Sequence, residues 1–282
     1  MNHKVSLIIK ACVQDVDVLY RNVKHITKQL SNPDNFDEVI LGLDVKEKDF
    51  LRQYNSEGNW ERLISVCCKL KNEGLVSDFI YPSENDITEI NSRWFGLNSK
   101  HTHTFKKVPV AAQLFAFERA KNNLILQLDI DIIIGRLSHS HSFLTDMIKE
   151  LENNKEIVSV GFNIFHGKGH FFKPYFGNFV PEVRFCLLSK ERIFQLLPLP
   201  NKSLETGLDL SWYRSIEKKQ KETGKISIRG GDSRSFFIHP QNNTKKDPSF
   251  LELVIKRVEQ NIIPDKQIGN VDLAGTYNDW NS

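Results

Sequence analysis

The 282-residue sequence has no uncharged apolar run near the ~20 residues a membrane span requires, so any membrane contact is expected to be peripheral. Its first apolar stretch, Val5-Ser6-Leu7-Ile8-Ile9, is too short for a secretory h-region, and Lys10 interrupts it without a small-residue cleavage site. Cysteine is scarce: Cys12, Cys67, Cys68 and Cys186 show no metal-site spacing, which excludes a zinc framework and fits buried thiols of a reducing compartment. The cytoplasm is therefore the expected location. Charge of one sign is also lacking, because Lys+Arg (38) exceed Asp+Glu (35) by only three, so no phosphate-tracking surface and no nucleic-acid partner are expected. No internal repeat and no low-complexity tract appears.

What is present is an alternation of short apolar runs with amphipathic segments. Residues 5–11 read as a strand buried on both faces. Asp15 can cap a following helix with Leu19, Val23, Ile26 and Leu30 at the 3.6-residue period, stopped by Ser31-Asn32-Pro33. A second strand ends at Asp44, Trp60, Leu63, Ile64 and Cys67 mark a second helix, and residues 76–81 supply a third strand. This order predicts an open α/β sheet, mostly parallel, in three layers, with ligands beyond the carboxyl ends of its strands. Residues 83–108 read as a long irregular loop, 109–120 as a helix, and 124–131 as the fourth strand. Helices are expected at 143–151, 190–197 and 209–220, and strands at 157–162, 183–188, 226–229 and 236–239. A last amphipathic helix carries Leu251, Ile255, Val258 and Ile262 before Pro264, and the tail beyond it reads as weakly structured.

The most informative stretch is Leu124-Ile125-Leu126-Gln127-Leu128-Asp129-Ile130-Asp131. Residues two apart on a strand share a face, so the spacing predicts that Asp129 and Asp131 project together from an apolar strand. Two buried carboxylates repel unless a cation or hydrogen-bond donors lie between them, and a hard divalent ion, Mg²⁺ or Mn²⁺, satisfies both. Such an ion neutralises charge on a departing diphosphate. The bland alternative is a strand end whose aspartates cap the next turn and face water.

At this point the sequence resembles the GT-A-type glycosyltransferases that use nucleotide-diphospho-sugars, closest to the inverting family 2 enzymes. The resemblance runs from residue 4 to about 246, through the first strand, the strand ending in Asp44, the helix leading into Asp129-Ile130-Asp131, and the late strand ending in His239. It implies a GT-A-like, Rossmann-related three-layer α/β/α sandwich. Residues 1–131 would be the nucleotide-sugar-binding half, 132–248 the acceptor-binding half, and 249–282 a C-terminal helix and tail. It further implies a UDP-sugar or related donor, a glycan, lipid-linked or small-molecule acceptor, and a Mn²⁺ or Mg²⁺ ion. Asp131 would hold the metal directly, Asp129 would hold the ribose or the metal through water, and Asp44 would meet the base. Phe236-Phe237-Ile238-His239-Pro240 matches the place of a further metal-ligating histidine, and Lys245 and Lys246 follow it in a loop that can close over the diphosphate. The family's Pro-Thr-Tyr/Phe-Asn turn is absent, replaced by Lys10-Ala11-Cys12-Val13-Gln14, and so is its Glu-Asp pair. A sugar nucleotidyltransferase is disfavoured because residues 10–18 contain no glycine. A nucleotide-sugar-binding module without catalysis stays open.

An inverting transfer needs a carboxylate base. Aligning Asp209-Leu210 with the family's acidic-apolar pair puts Gly207 at the usual base position, so the base falls to Glu205 or Asp209, with Asp209 favoured. Four apart at a predicted helix start, the two are expected to share one face. His101, His103, His139 and His141 read as solvated. Residues 166–179 read as a loop rich in glycine and phenylalanine, in which His166-Gly167-Lys168-Gly169-His170-Phe171-Phe172 would suit a mobile loop over an acceptor, although an ordinary surface loop is the preferred reading.

Overall fold

The computed structural model describes residues 3–44, 58–167, 175–177, 180–230, 234–241 and 247–282. The chain opens with β1 (Val5–Cys12), α1 (Val16–Leu30), β2 (Glu38–Asp44), α2 (Trp60–Asn72), β3 (Asp78–Ile80), α3 (Glu84–Phe95), α4 (Ala111–Arg119) and β4 (Leu124–Asp129). It continues through β5 (Ile133–Arg136), α5 (Phe143–Asn153), β6 (Ile157–Gly161), β7 (Tyr175–Gly177), β8 (Phe185–Ser189), α6 (Lys190–Phe194) and the short pair β9 (Ser203–Leu204) and β10 (Gly207–Leu208). The last elements are α7 (Trp212–Thr223), β11 (Ile226–Arg229), β12 (Ser235–Ile238), α8 (Pro248–Glu259) and α9 (Tyr277–Asn281).

An eight-stranded sheet in the order β3-β2-β1-β4-β8-β6-β11-β7 forms the middle layer. Its first four strands are parallel neighbours, and β6 and β11 are parallel as well, while β8 and β7 run antiparallel to their neighbours. The expected mostly parallel three-layer sandwich is therefore the fold observed. Strand alternation sorts its faces. Val5, Leu7, Ile9 and Ala11 of β1 join α1, α2 and α5 in one core, whereas Ile8 joins α3, α4, α6 and α7 in the other. Ser6 and Lys10 have the parity of Ile8 and so belong to the α4 side. Each fully buried Leu or Ile in these cores contributes on the order of 1.5–3 kcal/mol of transfer free energy, which is what holds the helices against the sheet.

β5 and β12 leave the main sheet and pair with each other, covered by α8 and by Leu273 and Trp280 of the tail. The tail is thus docked, contrary to the weak structure expected of it. Gln267, fully buried, ties it together by donating to the carbonyls of Asn270 and Asp272 and accepting from Ala274 N. Residues 83–108 also differ from the expected loop. Ser83 and Asp86 form a capping box for α3, and Ile87, Ile90, Asn91 and Trp94 recur at helical spacing on its buried face.

Candidate active site

The chain runs β1, β2, β3 toward one edge and then returns to place β4 on the other side of β1. A parallel sheet opens a crevice at such a reversal, beyond the carboxyl ends of the strands. Lys10, Ala11 and Cys12 of β1, Gly42 and Asp44 of β2, Asp129 of β4, Asp15, and the start of α4 line that crevice. Sheet register fixes the arrangement, since Lys10 lies beside Gly42 on one flank and Asp129 on the other, and Cys12 lies beside Asp44.

Sequence reasoning did not foresee the role of Lys10. Its Nζ lies 3.0 Å from Asp129 Oδ1, with both side chains about 95% buried, and it also donates to the Val183 carbonyl. A lysine inside an otherwise apolar strand demands a buried counter-charge, and that demand was the signal available in the sequence. Asp44 is engaged from another direction. His103 Nε2 stands 2.8 Å from Asp44 Oδ2, and both side chains are buried. The expectation of a solvated His103 is therefore corrected: the bonds Leu208 N to His103 O and Phe105 N to Leu208 O fold its loop onto β10 and carry the imidazole inward. The contact is not aligned as a hydrogen bond, and Asp44 Oδ2 accepts none within the described residues. Asp15, fully buried, accepts from Cys12 N at 2.7 Å and fixes the bend that follows β1.

The two aspartates do not extend from one strand as the period of two suggested. β4 stops at Asp129, and Ile130-Asp131 form a turn closed by Ile132 N to Asp129 O at 3.4 Å. The chain leaves the main sheet there because β5 takes β12 as its partner. Helix α1 holds this turn from below. Asn22 Nδ2 donates to Ile130 O at 3.0 Å, Ile134 N donates to His25 Nε2 at 3.0 Å, and Ile130 N donates to Lys10 O. Asn22 and His25 are three apart and so share a helix face, a pairing visible in the sequence once the turn is known.

The β5–β12 register ends with Ile238 opposite Ile133, so His239 follows the last pair on one strand and the Asp131 turn precedes it on the other. His239 Nδ1 is 2.8 Å from Asp272 Oδ1, and the tail segment pairs with His239 through His239 N to Val271 O and Leu273 N to His239 O, each 2.8 Å. The Asp131 turn and His239 thus flank the same end of the β5–β12 ladder, whereas Asp129 is paired with Lys10. No cluster of three or more His, Cys, Asp or Glu side chains able to hold a metal occurs among the described residues.

Neither a protein-family model nor a curated protein matches the sequence. Among solved structures, glucosyl-3-phosphoglycerate synthase from Mycobacterium tuberculosis, with Mn²⁺, UDP-glucose and phosphoglyceric acid, aligns at 14% identity and TM-score 0.44, covering 91% of this chain and 77% of its own. A Drosophila β1,4-galactosyltransferase 7 mutant with manganese, UDP-Gal and xylobiose aligns at 14% identity and TM-score 0.40, covering 83% and 69%. CMP:2-keto-3-deoxy-manno-octonic acid synthetase with CTP aligns at 6% identity and TM-score 0.39, covering 80% and 88%. These are likenesses of layout.

Glu205 and Asp209 do not share a helix face. Glu205 sits exposed in the turn between β9 and β10, Asp209 follows β10 half-buried, and α7 begins only at Trp212 after Ser211. The hairpin forms because Gly207 lies against the Thr104–Phe105 backbone: a Cβ there would come within 2.5 Å of Thr104 C and Phe105 N. A carboxylate side chain at position 207 has no room. Trp212 is core, stacking edge-on with Phe117 and donating its Nε1–H to Gln113, which lines the crevice. Lys245 and Lys246 lie outside the described residues, as does most of the 166–179 segment. No helix among the described residues is long and apolar enough to cross a membrane.

Proposed function

We propose that this chain is a glycosyltransferase that moves a sugar from a nucleotide-diphosphate donor, a UDP-sugar by preference, to an acceptor hydroxyl with inversion. The observation that carries the reading is the pair of buried carboxylates, Asp44 and Asp129, at the carboxyl ends of β2 and β4 in one switch-point crevice. Ionised carboxylates are acceptors only, so they suit the hydroxyls of a ribose and the N–H of a base. The basic groups at the crevice, Lys10 and His103, already face Asp129 and Asp44, so a diphosphate belongs beyond it, toward Asp131 and His239.

Those two residues fit a hard divalent ion, because Mg²⁺ and Mn²⁺ commonly take one or two protein ligands and complete their shell with substrate phosphate oxygens and water. The carboxylate of Asp272 behind His239 Nδ1 is the partner that orients a metal-ligating imidazole. When bound, the ion would neutralise charge developing on the leaving diphosphate. Lys10 holds the Asp129 carboxylate in place for the donor, and Asn22 and His25 hold the turn that presents Asp131. Asp209 is the favoured base, taking the acceptor hydroxyl proton, with Glu205 as its alternative across the hairpin.

The test is a panel of nucleotide sugars scored by thermal shift with Mn²⁺, followed by nucleoside diphosphate release and the anomeric configuration of the product. One UDP-sugar should raise Tm in the wild type and not in Asp44→Asn or Asp129→Asn. Asp209→Asn should keep the shift and lose turnover. A panel without any shift or release at millimolar donor would remove the donor-site reading, and a product of retained configuration would remove the inverting mechanism.

A further inference from the structure

A second concavity lies away from the crevice, at the amino-terminal edge of the strands. It is a groove of about 860 Å³ between α1, the start of β2, the turn after α2, and α8. Arg21, Lys24 and Lys28 project into it from successive turns of α1, and Phe36, Leu75 and Ile255 supply its apolar walls. One carboxylate, Glu259, lies among them, paired with Lys28 and with the buried His25.

A basic helix face alone is ordinarily a solvated face. Here it borders a concave apolar surface, which water covers poorly and which an apolar group would fill favourably. Lys28 is paired with Glu259 and the Tyr20 hydroxyl donates to Glu73, so the remaining positive charge of the rim among the described residues centres on Lys24, with Arg21 one turn before it. Lys24 is exposed, with its Nζ 5.5 Å from the Tyr20 ring centroid, and a neutral or cationic occupant would waste that charge.

We propose that the groove binds an organic phosphate monoester: an apolar alkyl or aryl body against Phe36, Leu75 and Ile255, with its doubly charged head at Lys24 and its basic neighbours on α1. The site is separate from the donor crevice, and the inference stands whether or not the chain transfers sugars.

Octyl phosphate is the probe, titrated by calorimetry into the full chain below its micellar concentration. Inorganic phosphate, octanoate and octyl glucoside are run alongside. Octyl phosphate should bind one to one, at least tenfold more tightly than inorganic phosphate or octyl glucoside and at least threefold more tightly than octanoate. Lys24→Glu, a reversal at an exposed position, should weaken it at least tenfold, and Thr27→Trp, which fills the groove, should do the same. Lys218→Glu, on the far helix α7, should leave it within twofold. Equal binding of the neutral glucoside, or affinity unchanged in both groove variants, overturns the assignment and leaves adventitious amphiphile binding only. No binding of octyl phosphate overturns it outright.

Discussion

Lys10→Met is the most informative single change, because Lys10 and Asp129 form an ion pair with both side chains about 95% buried. Methionine keeps the length and apolar stem of lysine, so the change removes charge more than volume. It leaves the Asp129 carboxylate in a dry crevice without its cation. Breaking a buried pair from one side costs about 3–5 kcal/mol, several times the value of an exposed pair. For a chain of this size that is a fall in Tm of roughly 6–20 °C. Replacing both partners with apolar groups of similar volume is often neutral, so Lys10→Met/Asp129→Leu should recover at least about 2 kcal/mol of the loss. The measurement is urea unfolding of the four proteins of the double-mutant cycle, compared by midpoint and slope. Additive losses, or a Lys10→Met cost under about 1 kcal/mol, would refute the claim that Lys10 is the counter-charge of Asp129. The double variant should be stable and yet fail to bind a UDP-sugar, which separates the residue's part in folding from its part in the site.

Asp272→Ala should weaken Mn²⁺ binding about 10–100-fold, since outer-shell partners of a ligating histidine typically carry that much affinity, with a Tm close to wild type; EPR titration of free Mn²⁺ reads it, and unchanged affinity would detach Asp272 from the metal. Burial lowers the pKa of His25, while the unfolded chain takes up the same proton near ~6.5. The unfolded state therefore binds more protons just below that pH, and stability should fall as pH drops from about 6.5 until the folded imidazole protonates too. Glu259, held at about 2 chiefly by its hydrogen bond from His25, adds a further loss as pH falls from its ordinary 4.5 toward 2. Urea midpoints from pH 7.5 to 5 should fall in the wild type and stay flatter in His25→Gln, and parallel profiles would count against His25. Burial pushes the thiols of Cys67 and Cys186 up to about 12, whereas Cys68 is exposed, so a thiol reagent at pH 8 should label Cys68 quickly and reach Cys67 and Cys186 only on unfolding. Rapid labelling of Cys186 in the folded protein would contradict its place in the core.

The central sheet was legible because its strands are continuous apolar runs and α1 has a clean helical period, signals that survive without tertiary context. Helix α3 carried the same period in Ile87, Ile90 and Trp94, but polar residues between them disguised it as a loop. At the site, Asp44 was legible as an acid at a strand end and Asp129 as an acid on the fourth strand, which was expected to run two residues further. The pairing of Lys10 with Asp129 depended on which strand lies beside β1, and that of His103 with Asp44 on a loop folding back over β10. Pattern along one segment cannot report such long-range partners. The same limit explains the aspartate turn: a period of two holds only while the strand lasts, and β4 ends where β5 finds β12. The hairpin at β9 and β10 displaced the expected helix start for a related reason, the close approach of Gly207 to a distant stretch of backbone.

The bridge between His239 and the segment around Asp272 has a practical side. Residues 271–273 serve as an extra edge for the short β5–β12 sheet, so shortening the chain ahead of Val271 would strip His239 of two main-chain bonds and its carboxylate at once. Anything that engages the last fifteen residues, whether a purification tag or another protein, would be felt at that imidazole long before it disturbed the central sheet.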